Sequence, residues 1–193
     1  MRKITPADVL PLSEYAKVRA ERRRSLTQTK RLRRVEVGPF ATFYFENFDT
    51  MLHQVQEMLF IEKAGAEQIP DELAAYNPLI PDGRELTATV MFEIDDPVRR
   101  ARVLATLGGI EHTMWLRVAG ETIKGIAEED QDRTNEAGKA SSVHFVHFPF
   151  TPAQIAAFRR PGTEVIAGFS HANYGHMAVI PEPVRAALAD DFD

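Results

Sequence analysis

Three polar residues at helical spacing are the first candidates for chemistry. Asp49, His53 and Glu57 are four residues apart, so a helix would place a carboxylate, an imidazole and a second carboxylate on one stripe. Oxygen and nitrogen atoms in this arrangement could bind a divalent metal or form a proton-transfer pair. The alternative is a solvent-facing polar stripe, which amphipathic helices normally carry, and the spacing alone allows both interpretations.

Two further histidines, His144 and His147, are close in sequence and are predicted to lie on a strand. Residues three apart on a strand point to opposite faces, so the two imidazoles cannot bind the same metal ion. Each is interpreted as a hydrogen-bonded histidine of a sheet. Ser142 would share a face with His144, but the sequence offers no nucleophile, base and orienting group in the order that acyl transfer needs.

The sequence contains none of the common catalytic motifs. There is no G-x-S-x-G, P-loop, G-x-G-x-x-G or H-E-x-x-H motif, and no E-x-x-H pair of the di-iron bundle type. Cysteine is absent, which excludes disulfides, zinc-thiolate sites, iron–sulfur ligation and cysteine nucleophiles. The carboxylate run at residues 128–133 lacks the spacing and the glycine of a calcium loop, so a solvated loop is the favoured interpretation.

Charge is distributed unevenly along the chain. Residues 1–34 carry eleven Lys and Arg against three acidic residues, a net +8, whereas the remainder carries twelve against twenty-five, a net −13. A basic arm on an acidic body indicates intramolecular docking, an acidic partner or nucleic acid. The basic clusters at residues 22–24 and 30–34 lack interleaved aromatic residues for base stacking, which makes nucleic acid the least favoured. We therefore expect the arm to pack across an acidic face of the body or of a dimer mate.

The overall composition is that of an ordinary globular protein, since 44% of the 193 residues are hydrophobic and 26% are charged. No stretch approaches the roughly 18 apolar residues of a membrane-spanning helix. The opening residues lack the apolar core of a secretory signal. A cytoplasmic location without membrane contact is therefore expected.

Periodicity and helix caps place these residues on a series of short elements. Helices are predicted over residues 13–34, 47–63, 70–76, 97–108, 152–160 and 183–188. Strands are predicted over residues 34–37, 39–46, 85–94, 112–118, 121–127, 142–150, 164–171 and 174–180. Because regular βαβ alternation is missing, we expect an α+β fold with a largely antiparallel sheet, helices on one face and a long basic N-terminal helical arm. The predicted division is an arm at residues 1–34 and a single α+β domain at residues 35–193.

Five segments resemble one known family. They are residues 54–59, 75–83, 109–112, 128–133 and 141–145, and the string Tyr-Asn-Pro-Leu-Ile-Pro-Asp-Gly within the second is the most specific. In this order they are similar to the bacterial family catalogued as domain of unknown function 3501, and the resemblance extends from Thr5 to the final helix. It implies no established activity. Members tend to be encoded beside rubrerythrin-like di-iron proteins and iron–sulfur oxidoreductases, which implies a role in peroxide or redox defence.

The same segments concentrate polar side chains on rigid turns and strand ends, where binding groups are often positioned. The candidate binding residues are Gln54, Glu57, Tyr76, Asn77, Asp82, Glu111, Glu128, Asp130 and His144. The alternative is a buried network that only fixes the local structure. For Asp82 we expect backbone hydrogen bonds that hold the proline-rich turn.

Two hypotheses for function follow. The first is an accessory protein of a bacterial redox or oxidative-stress pathway that docks a protein partner, a redox protein being one candidate, with a homodimer as an alternative assembly. The second is a small metal-dependent enzyme. Its candidate ligands are His53, Glu57, Glu111 and His144, and no cofactor beyond a divalent metal is implied.

Overall fold

The structure of the chain is a computed structural model that describes residues 2–128 and 133–193. Over these residues the fold is α+β, with two antiparallel sheets and six α-helices, which confirms the predicted fold class. None of the helices in this part of the chain is long and apolar enough to cross a membrane.

Nine strands lie close to their predicted positions. They are β1 (Arg34–Val37), β2 (Ala41–Phe45), β3 (Glu85–Phe92), β4 (Met114–Val118), β5 (Glu121–Lys124), β6 (Ile126–Ala127), β7 (Val143–Pro149), β8 (Val165–Phe169) and β9 (Met177–Val179). The five-stranded sheet has the order β1-β2-β3-β7-β6, and the four-stranded sheet has the order β5-β4-β8-β9. The sequence predicted one sheet, whereas the strands are divided between two.

The helices are α1 (Leu12–Arg31), α2 (Phe48–Glu62), α3 (Ile69–Tyr76), α4 (Pro97–Leu104), α5 (Pro152–Arg159) and α6 (Glu182–Ala189). Local caps explain several of their starts. The side chains of Asn47, Asp96 and Thr151 accept hydrogen bonds from the first turns of α2, α4 and α5. Because capping depends on neighbouring residues, these boundaries were predictable from sequence.

The two sheets face each other across one core. Phe43 of the five-stranded sheet lies 5.2 Å, ring centre to ring centre, from Phe169 of the four-stranded sheet. Phe92 approaches the same ring at 5.9 Å. Helices α4 to α6 contribute to this core, for example through Phe158 and Leu188. Alternate residues of β2, β3 and β7 therefore point inward, and their neighbours form the outer face of the five-stranded sheet.

A second, smaller core lies against that outer face. It joins Met51, Val55 and Leu59 of α2 to Leu73 of α3, and Phe145 of β7 packs against it. Helices α1 to α3 thus form a layer on one face of a sheet, as predicted, while α4 to α6 belong to the core between the sheets. The division at residue 34 remains a prediction.

The predicted strand over residues 121–127 is wrong in one respect. Gly125 interrupts it, so β5 pairs in the four-stranded sheet and β6 pairs in the five-stranded sheet. A Cβ atom at Gly125 would lie 2.7 Å from Val146 Cγ1 and 2.9 Å from Phe148 Cε1. Only glycine fits where the chain crosses this closely between the sheets.

Candidate functional site

The contact between α1 and α2 is a polar cluster that we call the α1–α2 seam, formed by Tyr15, Arg19, His53 and Glu57. Arg19 binds Glu57 through two hydrogen bonds, Nε to Oε1 at 2.7 Å and Nη2 to Oε2 at 2.8 Å. The buried Tyr15 hydroxyl donates to Glu57 Oε1 at 2.6 Å and lies 3.4 Å from His53 Nδ1. Both oxygens of Glu57 therefore have partners within the chain.

These contacts fix the charges of the seam. The hydrogen bonds from Arg19, assisted by Tyr15, lower the pKa of Glu57 to about 2, so it is ionised at neutral pH. Burial, followed by the nearby positive charge of Lys30, lowers the pKa of His53. The predicted stripe of Asp49, His53 and Glu57 exists on α2, but its most buried carboxylate already binds an arginine.

The four candidate metal ligands fall into two pairs on different parts of the fold. His53 and Glu57 lie in the α1–α2 seam, whereas Glu111 lies before β4 and His144 lies on the inward face of β7. Within residues 2–128 and 133–193, no group of three or more His, Cys, Asp or Glu side chains is arranged to hold a metal ion. The alternative of a metal enzyme remains a proposal that rests on fewer ligands than a site needs.

Glu111 and His144 are nevertheless unusual, because each is buried with one polar atom that lacks a hydrogen-bond partner among the described residues. The Thr134 hydroxyl donates to Glu111 Oε1 at 2.8 Å, and no described group bonds Oε2. His144 is bonded through Nε2 to the Ser141 carbonyl at 2.9 Å, and no described group bonds its Nδ1. Burial lowers the pKa of His144, while the charge of Glu111 acts in the opposite direction.

Asn77, a predicted binding residue, makes hydrogen bonds that stabilise the fold. Its side-chain amide bonds both backbone groups of Ile4, accepting from the N–H at 2.8 Å and donating to the carbonyl at 2.9 Å. The fully buried Gln56 does the same with Leu10. Together they fix the segment before α1 against α2 and α3. The role of Gln56 was missed from sequence, although an amide on the apolar side of a helix was an available signal.

Two other candidates also have structural partners. Asp82 Oδ1 accepts a hydrogen bond from the Arg84 backbone at 2.8 Å, which confirms that Asp82 holds its turn. Glu128 lies 3.4 Å from His147 Nε2, and Glu85 lies 3.1 Å from His147 Nδ1. These two carboxylates raise the pKa of His147 to about 9. Asp130 lies outside the described residues.

Gln54 and Tyr76 are the candidates that the fold brings to one place. Although they belong to α2 and α3, both line a cavity of about 400 Å³ on the outer face of the five-stranded sheet. Both are half-buried, and neither makes a side-chain hydrogen bond within the described part of the chain. Glu57, only three residues after Gln54, faces α1 instead.

The exposed side of α1 carries a concentration of positive charge. Apart from Arg19, none of the cations between residues 17 and 31 forms an ion pair with any described residue. They are Lys17, Arg22, Arg23, Arg24, Lys30 and Arg31. Just beyond α1, the buried Arg33 binds Asp191 and donates to the backbone carbonyls of Phe45 and Glu46. Arg19 and Arg33 therefore pair with carboxylates beyond residue 34, and six cations of α1 have no ion-pair partner among the described residues. The packing of the arm across an acidic face stays a prediction.

Comparisons with known proteins identify a family and a similar fold but assign no activity. A family model described as "Protein of unknown function (DUF3501)" matches residues 3–192. A crystal structure of a novel protein of unknown function from Burkholderia pseudomallei K96243 is 37% identical, covers 100% of both chains and has a TM-score of 0.92. None of the curated proteins matches the chain significantly.

Proposed function

We propose that this chain, which belongs to the DUF3501 family of proteins of unknown function, is an accessory protein that docks an acidic protein partner. The docking surface is the set of exposed cations of α1, which are Lys17, Arg22, Arg23, Arg24 and Arg31. One observation carries the proposal: these charges are concentrated on one helix and have no ion-pair partners among the described residues. A helix with so many like charges loses free energy through repulsion, which an acidic partner would relieve.

The way α1 is attached supports a docking role. Tyr15 and Leu26 are buried, Arg19 is bound to Glu57, and Arg33 is buried at the end of the connection to β1. These contacts use the side of α1 that faces α2. The remaining cations are thereby presented on a helix whose position is fixed, so a partner need not order the surface on binding.

The charge of the rest of the chain favours a protein partner over nucleic acid. Residues 35–193 carry a net −13, which repels a long polyanion but leaves a local acidic patch on another protein able to approach α1. The single aromatic residue of α1, Tyr15, is buried and cannot stack on a base. A second copy of this chain is one protein with a suitable acidic surface.

The pathway is proposed on different grounds. Members of the family are expected to be encoded beside rubrerythrin-like and iron–sulfur redox proteins, which supports a place in bacterial redox or oxidative-stress defence. A rubrerythrin-like protein from a genome that encodes both side by side is the defined partner to test.

The experiment measures binding to that partner, to polyglutamate and to double-stranded DNA at low and high salt. The test variant is R22Q/R23Q/R24Q. The control, K124Q/K139Q/R160Q, removes the same charge from exposed cations elsewhere. We expect the test variant to weaken polyglutamate and partner binding by about tenfold, high salt to weaken wild-type binding similarly, and the control to have little effect.

Other outcomes separate the alternatives. Self-association that the test variant abolishes would identify the acidic surface as a second copy of the chain. Tighter binding to DNA than to either acidic protein probe, lost in the test variant, would replace the proposal with a nucleic-acid function. Equal losses of binding affinity in the test and control variants would show that the net charge of the protein, and not the cations of α1, controls binding.

The metal-dependent enzyme is retained as a second candidate because of Glu111 and His144. Unpartnered atoms on a buried carboxylate and a buried imidazole are chemically suited to a cation. The test is elemental analysis of protein purified without chelators or an affinity tag. Near-stoichiometric iron, manganese or zinc that is lost in both H144A and E111Q would support this candidate. Metal content unchanged by either variant would remove it.

A further inference from the structure

The cavity above the five-stranded sheet has a structural cause. Tyr44, Thr89 and Phe145 lie side by side on β2, β3 and β7. The central residue is small, and its two neighbours are aromatic, so the outer face of the sheet is hollow at Thr89. The first turns of α2, the end of α3 and the end of α1 surround this hollow and enclose about 400 Å³. That volume is within the range of small-molecule sites, roughly 300–1,000 Å³.

A carboxylate lies inside this cavity without a cation. Glu46 is 8% exposed and lines the cavity. Its Oε1 accepts a hydrogen bond from the Thr89 hydroxyl at 2.7 Å, and no described Lys, Arg or His lies within ion-pair distance. Arg33 also lines the cavity, but its guanidinium is bound to Asp191 and to backbone carbonyls. A buried carboxylate normally has a charged or hydrogen-bonding partner, and here the described residues supply one neutral hydroxyl and no ion-pair partner.

A cation with no ion-pair partner lies at the mouth of the same cavity. Lys30 is exposed, lines the cavity and forms no ion pair with Glu46 or any other described residue. The half-buried Gln54 and Tyr76 also line the cavity, and their side-chain amide and hydroxyl have no hydrogen-bond partner among the described residues. Apolar side chains complete the lining, including Met51, Leu79, Met91 and Val143.

We propose that this cavity binds a small zwitterion of the α-amino-acid class. Its ammonium group occupies the space beside Glu46 and Thr89, its carboxylate faces Lys30, and its apolar side chain packs on the aliphatic and aromatic lining. A simple amine would satisfy Glu46 but would be repelled by Lys30. A simple carboxylate would satisfy Lys30 but would face the charge of Glu46. Only a ligand with both groups matches both charges, and the site is independent of the α1 surface proposed for docking.

The experiment screens the common L-amino acids against the full chain by ligand-detected NMR and measures the best binder by calorimetry. The best binder is then compared with its two matched analogues, the amine that lacks the carboxylate and the acid that lacks the ammonium. For L-phenylalanine these are phenethylamine and 3-phenylpropionate. We expect the amino acid to bind about tenfold more tightly than either analogue.

Two variants assign the charges. E46Q keeps an oxygen acceptor for Thr89. It should weaken binding of the amino acid about tenfold and leave binding of the acid analogue unchanged or tighter. K30M should weaken binding of the amino acid and of the acid analogue but not binding of the amine. The exposed variants E36Q and K17M, on β1 and on α1 outside the cavity, are the controls and should change nothing. Unchanged circular dichroism and thermal midpoint establish that each variant is folded.

Three results would overturn the proposal. The first is the absence of binding by every amino acid in the screen. The second is amino-acid binding that E46Q and K30M leave unchanged, and the third is an analogue that binds as tightly as the amino acid. Because Lys30 is exposed, K30M should fold normally. If E46Q fails to fold, the effect of K30M on amino-acid binding still decides the proposal.

Discussion

The α1–α2 seam and the cavity place a glutamate in similar surroundings with different partners. Glu57 lies between α1 and α2, Glu46 lies in the cavity between these helices and the five-stranded sheet, and both are largely removed from solvent. Glu57 accepts three hydrogen bonds, two of them from Arg19. Glu46 accepts one, from a neutral hydroxyl. The first carboxylate is used by the fold, and the second is left with capacity to bind something else.

The difference has an energetic consequence. A mostly buried carboxylate that is paired and hydrogen-bonded contributes to stability, whereas a single hydrogen bond from a neutral hydroxyl, with no cation among the described residues, offsets less of the desolvation free energy. Residues that cost stability are characteristic of functional positions. The comparison therefore predicts opposite results for the same substitution at the two sites.

The largest effect is expected for Glu57→Ala, which leaves the buried Tyr15 hydroxyl and the Arg19 guanidinium without their acceptor. We expect a loss of about 3 kcal/mol in the free energy of unfolding, measured by urea denaturation at neutral pH. The control is Glu62→Ala, at the exposed end of the same helix. Because the pKa of Glu57 falls from 4.5 to about 2 on folding, its contribution is present above pH 4.5 and is lost towards pH 2. If Glu57→Ala lowers the free energy of unfolding no more than Glu62→Ala does, Glu57 does not have the structural role that the comparison assigns to it.

A second partnered group, His147, sharpens the comparison through pH. Its pKa rises from 6.5 to about 9 on folding, because Glu128 and Glu85 stabilise the imidazolium. The stabilisation is complete below pH 6.5 and is lost as the pH rises through 9, a decrease of about 3 kcal/mol. Denaturation curves between pH 6 and 10 measure it. His147→Gln should remove this dependence, whereas the exposed His112→Gln should not, and an identical pH dependence in both variants would contradict the assignment.

Asp82 is an intermediate case, since one of its oxygens bonds the Arg84 backbone and the side chain is exposed. Asp82→Ala should lower the free energy of unfolding by about 1 kcal/mol, the usual cost of a lost turn or cap acceptor. The exposed Asp95→Ala is the matched control. An unchanged thermal midpoint for Asp82→Ala would show that the turn does not need this hydrogen bond.

The sequence predicted the α+β class and most elements because their signals are local. The caps at Asn47 and Thr151 and the alternation along β3 depend only on neighbouring residues. The division into two sheets was missed because it depends on Gly125 approaching Val146 and Phe148, which are distant in sequence. A glycine within a strand pattern is compatible with a bulge, a bend or a crossover, and sequence alone does not distinguish them.

The candidate site was predicted in part for the same reason. Gln54 and Tyr76 were identified from their segments, but nothing in the sequence indicated that they line one cavity. Glu46 was missed because it follows the inward-facing Phe43 and Phe45 in a position that strand alternation assigns to solvent. Its burial comes from helices and loops that cover the outer face of the sheet, which is a property of the tertiary structure.

The smallest effect is expected for Glu46→Gln, and it is the most direct test of the comparison. Glutamine has nearly the shape of glutamate and retains an oxygen to accept the hydrogen bond from Thr89, so the substitution removes the charge and little else. Because no cation of the described chain pairs with Glu46, no ion pair is lost, and a desolvated charge is removed. The free energy of unfolding in the absence of ligand should be unchanged within about 0.5 kcal/mol or slightly raised.

Glu57→Gln, measured in parallel, should be destabilising because it weakens a bidentate pair with Arg19. If Glu46→Gln instead costs as much as Glu57→Gln, the two glutamates have the same structural role and the cavity has no negative charge left to offer a ligand.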